Sequence, residues 1–355
     1  MVKTVLVIGE RGKTLLIFGL LKKLSMNGLK VGYFKPIAKA RYRLPSTKYI
    51  DPDAAAIKEA LSLREPLEDL SPILVSRSYL ELKEGVENVK KKIRESFERV
   101  SSDKDVVIVE GYSPPEAFTS LGLGATQIAE MLDAKTVYIA DAKGREIVDE
   151  IVDRVNLYKC YFGYTEKRLD GVIINNVPVF YAKRIESLIA PEIEKNGVRI
   201  YGIVTERPRL IAPTVKDIVE ALNAEVLEGK EYLNNMVEDI LIGAMSPEAA
   251  LRWLRRAINA AIITGGDRTD LIMQALGTKP SVVILTGNLY PTTGVLVKAR
   301  EIGIPLLLVP YDTYTTVEKL REVQAIVTAD SLKAKEKEIL EVVDTEIKWR
   351  ELLDL

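Results

Sequence analysis

A series of short apolar runs constrains this chain more than any single motif. TVLVIG, VGYF, VVIVEG, TVYIA, GVIINNV and IYGIV are rich in valine and isoleucine and show little alternation with polar residues. They are short enough to be strands. Between them lie longer amphipathic stretches. LLIFGLLKKLSMNG ends at the stop signal Asn27-Gly28, and EGVENVKKKIRESFERV repeats Val86, Val89, Ile93 and Phe97 at helical spacing, its charges forming a solvated face. Alternating strands and helices predict an α/β protein with a mainly parallel sheet flanked by helices.

After Val204 the texture changes. TERPRLIAPTV carries two prolines and reads as a linker over 206–214, because each proline restricts its neighbour and interrupts regular hydrogen bonding. A second series of strands, AAIIT, SVVILTG and PLLLVPYD, then predicts a second, smaller α/β domain over 215–330. The charged end, 331–355, is expected to be a helical tail. The first domain is expected to span 1–205.

Composition removes several kinds of chemistry. The 355 residues include no histidine and one cysteine, which excludes imidazole acid–base pairs, the common zinc sites and an internal disulfide framework. Basic and acidic residues nearly cancel, with a net charge of -1, so no nucleic-acid or membrane partner is expected. No secretory pattern and no run of eighteen apolar residues is present, and a cytoplasmic protein is expected. The lysine- and glutamate-rich, glutamine-poor composition is of the kind found in thermophile proteins. Cys160 and Trp253 are expected to pack in cores, Trp253 on a helix started by Ser246-Pro247.

With histidine absent, attention falls on GERGKT, Gly9 to Thr14. It follows an apolar strand and opens a helix, the setting of a phosphate-binding loop. There, backbone N–H groups wrap a phosphate, a lysine reaches its oxygens, and a threonine hydroxyl joins the Mg²⁺ shell. Lys13 and Thr14 stand where that chemistry needs them. Only Glu10 and Arg11 separate Gly9 from Gly12, however, where the usual pattern has four residues. Val7 occupies the place of the usual first glycine. Either the loop is shortened or Val7 leaves the strand to join it. A tight turn built on Gly9 and Gly12 is the plainer alternative.

Other residues collect at strand ends. Lys35 follows VGYF, Glu110 ends VVIVEG, Asp51 and Asp53 precede a helical stretch that they could equally cap, and Asn175 lies in GVIINNV. A carboxylate such as Glu110 at a buried strand end needs a partner. With VLVIGERGKT, this layout resembles the dethiobiotin synthetase family over roughly residues 1–205. The resemblance implies Lys13 and Lys35 near phosphates as catalytic groups, with Gly9, Gly12, Lys13 and Thr14 cradling a nucleotide. It further implies Thr14, Asp53 and Glu110 around Mg²⁺, and Asn175 at the base. ATP or another nucleotide and Mg²⁺ are thus the implied cofactors. The sequence departs from that family in the short loop and in GYSPPEAF after Glu110, where the family has a glycine-rich run.

In the second half, AAIITGGDRTDLIMQAL runs from a strand through Gly265, Gly266, Asp267, Arg268 and Thr269 into a helix. Asp267 or Thr269 is expected to cap that helix, and Arg268 to clamp an anion. Thr286 and Gly287 end one neighbouring strand. Asp312 follows another, with Thr315 or Thr316 as the next expected cap. Loops after the C-termini of parallel strands line ligand crevices, so these residues predict one shared pocket. The stretch resembles the DRTGG domain family. The two halves in this order resemble the amino-terminal regulatory part of long phosphate acetyltransferases, without the acetyltransferase domain, so acetyl transfer is not expected. Three functional readings stay open: a nucleotide-responsive regulatory protein, expected as a homodimer; an ATP- and Mg²⁺-dependent ligase or phosphotransferase; and a structural assembly scaffold.

Overall fold

The computed structural model describes residues 2–9, 11–40, 42–43, 49–142, 148–323 and 327–354. Glu10 and the last residue of the expected tail, Leu355, lie outside them. The chain forms two compact units, 1–206 with 327–355, and 207–326.

In the first unit, six parallel strands form one sheet: β1 Lys3–Gly9, β2 Val31–Phe34, β3 Val106–Glu110, β4 Lys135–Asp141, β5 Gly171–Val177 and β6 Arg199–Thr205. Their order is β6-β5-β4-β1-β3-β2, and every pairing is parallel. Each of the six apolar runs singled out in this half is a strand. Side chains on alternate positions of β1 serve opposite faces. Leu6 and Ile8 join a core with Val107, Val109, Tyr138 and Val172, completed by Ile93 and Val100 of one helix and Ile151 and Val155 of another. Val5 and Val7 are equally buried on the other face. A sheet covered on both sides explains the lack of polar alternation in the sequence.

Helix α1, Lys13–Met26, follows β1 directly, and Asn27 ends it as read from the sequence. Pro52–Leu61 forms α2 and Val86–Ser101 forms α3. The charged C-terminal segment folds onto this unit. Its helix Ala329–Glu346 buries Leu332, Ile339, Val342 and Val343. Gly19 of α1 permits that approach, since a Cβ there would lie 2.6 Å from Ile339 Cγ2 and 2.8 Å from Val343 Cγ2. Ion pairs Lys22–Glu336 (3.1 Å) and Lys23–Asp344 (2.7 Å) flank the seam. Glu346 accepts from the Thr205 N–H at 2.7 Å.

The second unit is built on five strands: β7 Glu225–Glu228, β8 Asp239–Ile242, β9 Ala260–Gly265, β10 Val282–Thr286 and β11 Leu306–Leu308. Their order is β7-β11-β10-β9-β8, all parallel except β7. Alternation again feeds two cores. Ile263, Ile284 and Leu307 meet Val215 and Ile218 on one face, while Val283, Leu285 and Leu306 meet Ile272, Leu276 and Val295 on the other. The segment read as a linker carries a short helix, Pro208–Ile211. No helix among the described residues is long and apolar enough to cross a membrane.

Two core expectations are corrected. Trp253 is 54% exposed: its helix does start at Ser246-Pro247, but Ala250 and Leu254 are the residues it buries. Cys160 is exposed, because helix Glu150–Phe162 turns Ile151, Val155, Tyr158 and Phe162 inward.

Candidate functional site

Strand β1 keeps Val7, which pairs with Glu110 on one side and Val137 on the other. The loop is therefore shortened, and Val7 does not enter it. Gly9 ends the strand at φ 142°, with the Ile139 carbonyl 2.5 Å from where a Cβ would sit. Gly12 precedes α1 in the left-handed region, at φ 83°. Glycine is needed at both positions for these reasons. Among the described residues no side chain caps α1, and no acid lies in its first turn, which favours a positive N-terminus.

Because all six strands are parallel, their C-terminal ends share one edge of the sheet, where ligands of such folds bind. That edge collects the polar residues of the first half. The Lys13 ammonium turns back along the loop, donating to the Gly9 carbonyl at 2.6 Å and to Ser113 Oγ. Ser113 Oγ donates to the same carbonyl at 2.8 Å. The Thr14 hydroxyl donates to Glu110 Oε1 at 3.1 Å. Asn175 lies against Gly12, and its neighbour Asn176 donates from Nδ2 to Asp141 Oδ1 at 2.9 Å.

Lys35 and Glu110 organise the rest. Lys35 leaves the end of β2 and is 7% exposed; Glu110 ends β3 and is 2% exposed. The Lys35 ammonium lies 2.6 Å from Asp53, 2.8 Å from Asp51 and 3.4 Å from Glu110 Oε1. The other Glu110 oxygen accepts from the Tyr33 hydroxyl at 2.9 Å. Asp51 also caps α2, accepting from the Ala54 N–H at 3.3 Å, so the capping and ion-pairing readings of this residue hold together. One cation faces three carboxylates, and the charges respond. Burial opposes the charge on Lys35, but Glu110, Asp53 and Asp51 outweigh it and hold the ammonium above its ordinary pKa. Burial pushes the Asp51 carboxyl up to about 6 against the pull of Lys35, with Asp53 pushing the same way. Burial, then Glu110, holds the Tyr33 phenol well above its ordinary value.

The structure thus brings Gly9, Gly12, Lys13, Thr14, Lys35, Asp53, Glu110 and Asn175 to one sheet edge. Sequence reasoning gives no site role to Tyr33, Ser113 or Asp141, and reads Asn176 only as the end of a strand. Asp141 ends β4 opposite Asn175, so a strand-end rule applied to TVYIAD would have found it. Tyr33 lies within a run that reads as apolar, and nothing local marks its hydroxyl.

In the second unit the expected loops also meet, and their polar groups bind one another. Gly265 pairs with Thr286 across β9 and β10, and Gly266 backs onto the Leu289 carbonyl. Thr286 Oγ1 lies 3.1 Å from Thr313 Oγ1, and the Gly287 N–H donates to the Tyr311 carbonyl at 2.7 Å. Arg268, expected to clamp an anion, donates to the carbonyls of Gly243 (2.8 Å) and Met245 (2.7 Å). Its guanidinium ties down the loop after β8. The capping expectations are corrected. Arg268 itself precedes helix Thr269–Gly277, so neither Asp267 nor Thr269 caps it. Asp312, rather than Thr315 or Thr316, caps Thr313–Glu322 by accepting from the Thr315 N–H at 2.7 Å. That bond holds the Asp312 carboxyl below its ordinary range.

Among curated proteins, phosphate acetyltransferases of Pseudomonas putida and Nitratidesulfovibrio vulgaris are similar to this chain. The first is 26% identical over 334 residues, covering 90% of this chain and 46% of the relative; the second is 27% identical over 347 residues, covering 91% and 47%. The chain therefore spans about half the length of these relatives. A solved ParA family ATPase from Chlorobium tepidum shares 17% identity, covers 58% of this chain and 85% of its own, and has a TM-score of 0.33. The CBS and DRTGG domains of the regulatory region of Clostridium perfringens pyrophosphatase, complexed with its activator diadenosine tetraphosphate, share 16% identity over 44% of this chain and 75% of that one, at a TM-score of 0.31. The sequence matches the family described as AAA domain over residues 3–214 and the one described as DRTGG domain over 217–323. Its first part therefore belongs to the AAA domain family, a P-loop unit of parallel strands, and a DRTGG domain follows it.

Proposed function

We propose that this protein is a nucleotide-responsive regulatory module that binds a nucleoside phosphate at the C-terminal edge of the six-stranded sheet. One observation carries the reading: Lys13 and Thr14 open a helix whose N-cap is a glycine and whose first turn holds no acid, beside the buried pair Glu110 and Lys35. The first-turn N–H groups of a helix have no intrahelical acceptor, and with the helix dipole they favour an anion. Phosphate oxygens are charged and form stronger bonds with an ammonium than a carbonyl does, so they compete for Lys13. Both lysines are already engaged, Lys35 by three carboxylates, which favours binding over turnover. Phosphoryl transfer needs cations that follow the charge developing on the phosphate. Acetyl transfer, the activity named for the relatives, is not assigned to these residues.

Calorimetric titration with ATP, ADP, AMP and GTP tests the proposal. The wild type should bind at least one of them, and Lys13→Ala should weaken that binding by about tenfold or more, the loss of one charge-assisted contact. Binding of all four no tighter than millimolar would sink it. A second reading, an ATP-dependent ligase or phosphotransferase, draws on the Thr14–Glu110 pair. Phosphate release from ATP that disappears in Glu110→Gln would favour that reading.

A further inference from the structure

The family resemblance that implies Mg²⁺ gives it Thr14, Asp53 and Glu110, and these side chains do not fit a divalent ion as they stand. Mg²⁺ requires oxygens at about 2.0–2.1 Å in octahedral array. The carboxylates that could supply them are bound elsewhere. Asp53 and Asp51 lie 2.6 and 2.8 Å from the Lys35 ammonium. Glu110 gives one oxygen to Thr14 and Lys35 and the other to Tyr33. No group of three or more acidic, cysteine or histidine side chains among the described residues is disposed to hold a metal.

What sits at the meeting point of these oxygens is an ammonium. Lys35 has three N–H donors, and three carboxylates converge on them. It is tethered: its own N–H donates to the Leu70 carbonyl at 2.8 Å, and the preceding Phe34 is fully buried. Through Glu110 Oε1 the ammonium is one atom removed from the Thr14 hydroxyl, the group that would otherwise meet a metal.

We propose that Lys35 is the resident cation of this site, so that the protein binds its nucleotide without a divalent metal. The nucleotide half of the statement rests on the function proposed above; the exclusion of metal does not. Two measurements on the full chain separate them. In the first, Mn²⁺ alone is titrated and followed by its electron paramagnetic resonance signal. The wild type and Lys35→Arg should bind Mn²⁺ no tighter than millimolar. Lys35→Met, which releases three carboxylates, should bind it at least about tenfold tighter and rise in melting temperature when Mn²⁺ is added. In the second, nucleotide affinity is compared in Mg²⁺ and in EDTA and should agree within about threefold. Submillimolar Mn²⁺ binding by the wild type overturns the proposal, as does a tenfold gain in nucleotide affinity with Mg²⁺. So does a natively folded Lys35→Met with no gain for Mn²⁺. If Lys35→Met does not fold, the wild type and Lys35→Arg still decide. If no nucleotide binds at all, the proposed function fails while the Mn²⁺ comparison stands.

Discussion

Replacing Asp51 by Asn isolates the electrostatic cost of packing three carboxylates around one lysine. The substitution keeps the shape of the side chain and an oxygen able to accept from the Ala54 N–H, so the cap on α2 survives. It removes one titrating group. In the folded protein that group is raised from 3.8 to about 6 by burial, with Asp53 adding to the push. A carboxyl with a folded-state pKa above its unfolded value holds its proton more tightly when folded. Between about pH 4 and pH 6 the unfolded chain gives up that proton first, so rising pH destabilises the fold, and the loss persists above pH 6. Two units at about 1.4 kcal/mol each make the loss about 3 kcal/mol. Asp51→Asn has no such proton. Its stability relative to the wild type should therefore climb by about 3 kcal/mol between pH 4 and pH 7. Urea unfolding at a series of pH values measures this, and subtracting the two curves cancels the titrating groups that Asp51 does not touch, leaving Asp51 with the neighbours it is coupled to, Lys35, Asp53 and Glu110. Since two compact units need not unfold together, the signal must come from the first. Trp349 belongs to that unit and is 9% exposed, so its emission serves once the exposed Trp253 of the other unit is changed to Phe. A difference that stays flat, or falls with pH, would refute the reasoning.

Gly19→Val places new atoms where Ile339 and Val343 of the terminal helix already stand, and overpacking of this kind costs about 1–3 kcal/mol. The same Trp349 signal should show the loss. Arg268→Ala leaves the Gly243 and Met245 carbonyls without their guanidinium donor. Each bond to a charged group contributes about 1.5–3 kcal/mol. Amide exchange in the loop after β8 should accelerate, while nucleotide affinity at the first unit should not change.

Legibility in the sequence followed burial. A strand covered on both faces shows an uninterrupted apolar run, and VGYF marks Val31–Phe34 residue for residue. Half-exposed edge strands show no such run, and β7, sequence EVLE, and β8, DILI, escaped notice. The small ladders Ile37–Lys39 with Ile73–Val75 and Tyr42–Arg43 with Tyr49–Ile50 are too short to carry a period. At the site, the positions of Lys13 and Thr14 at the helix start are legible from local spacing, and that of Glu110 from a carboxylate ending an apolar strand. The choice of partners was not readable. Lys35 meets Asp51 and Asp53 across a loop and a helix start, and Tyr33 meets Glu110 across a β-ladder. Trp253 and Cys160 were misjudged from residue type, although the helical faces already pointed inward through Leu254 in one case and Val155 and Tyr158 in the other.

The shortened loop bears on function through chain length. An extended residue spans about 3.3–3.6 Å, so two fewer residues remove about 7 Å of backbone and the N–H groups it would have carried. Nothing upstream restores them, because Val7 stays paired in the sheet. What closes the gap is a side chain: Lys13 returns to the Gly9 carbonyl, and Ser113 joins it from beyond β3. A phosphate held here has less backbone around it and depends more on point charges from Lys13 and Lys35. Backbone donors fixed in a full loop give the preorganised, directional stabilisation on which phosphoryl transfer relies. A lysine ammonium is a point charge and confers affinity with less directional control than a fork of fixed donors. Under the proposed function, the two-residue difference bears less on anion binding at the helix N-terminus than on turnover, and this sets the regulatory reading ahead of the ligase reading.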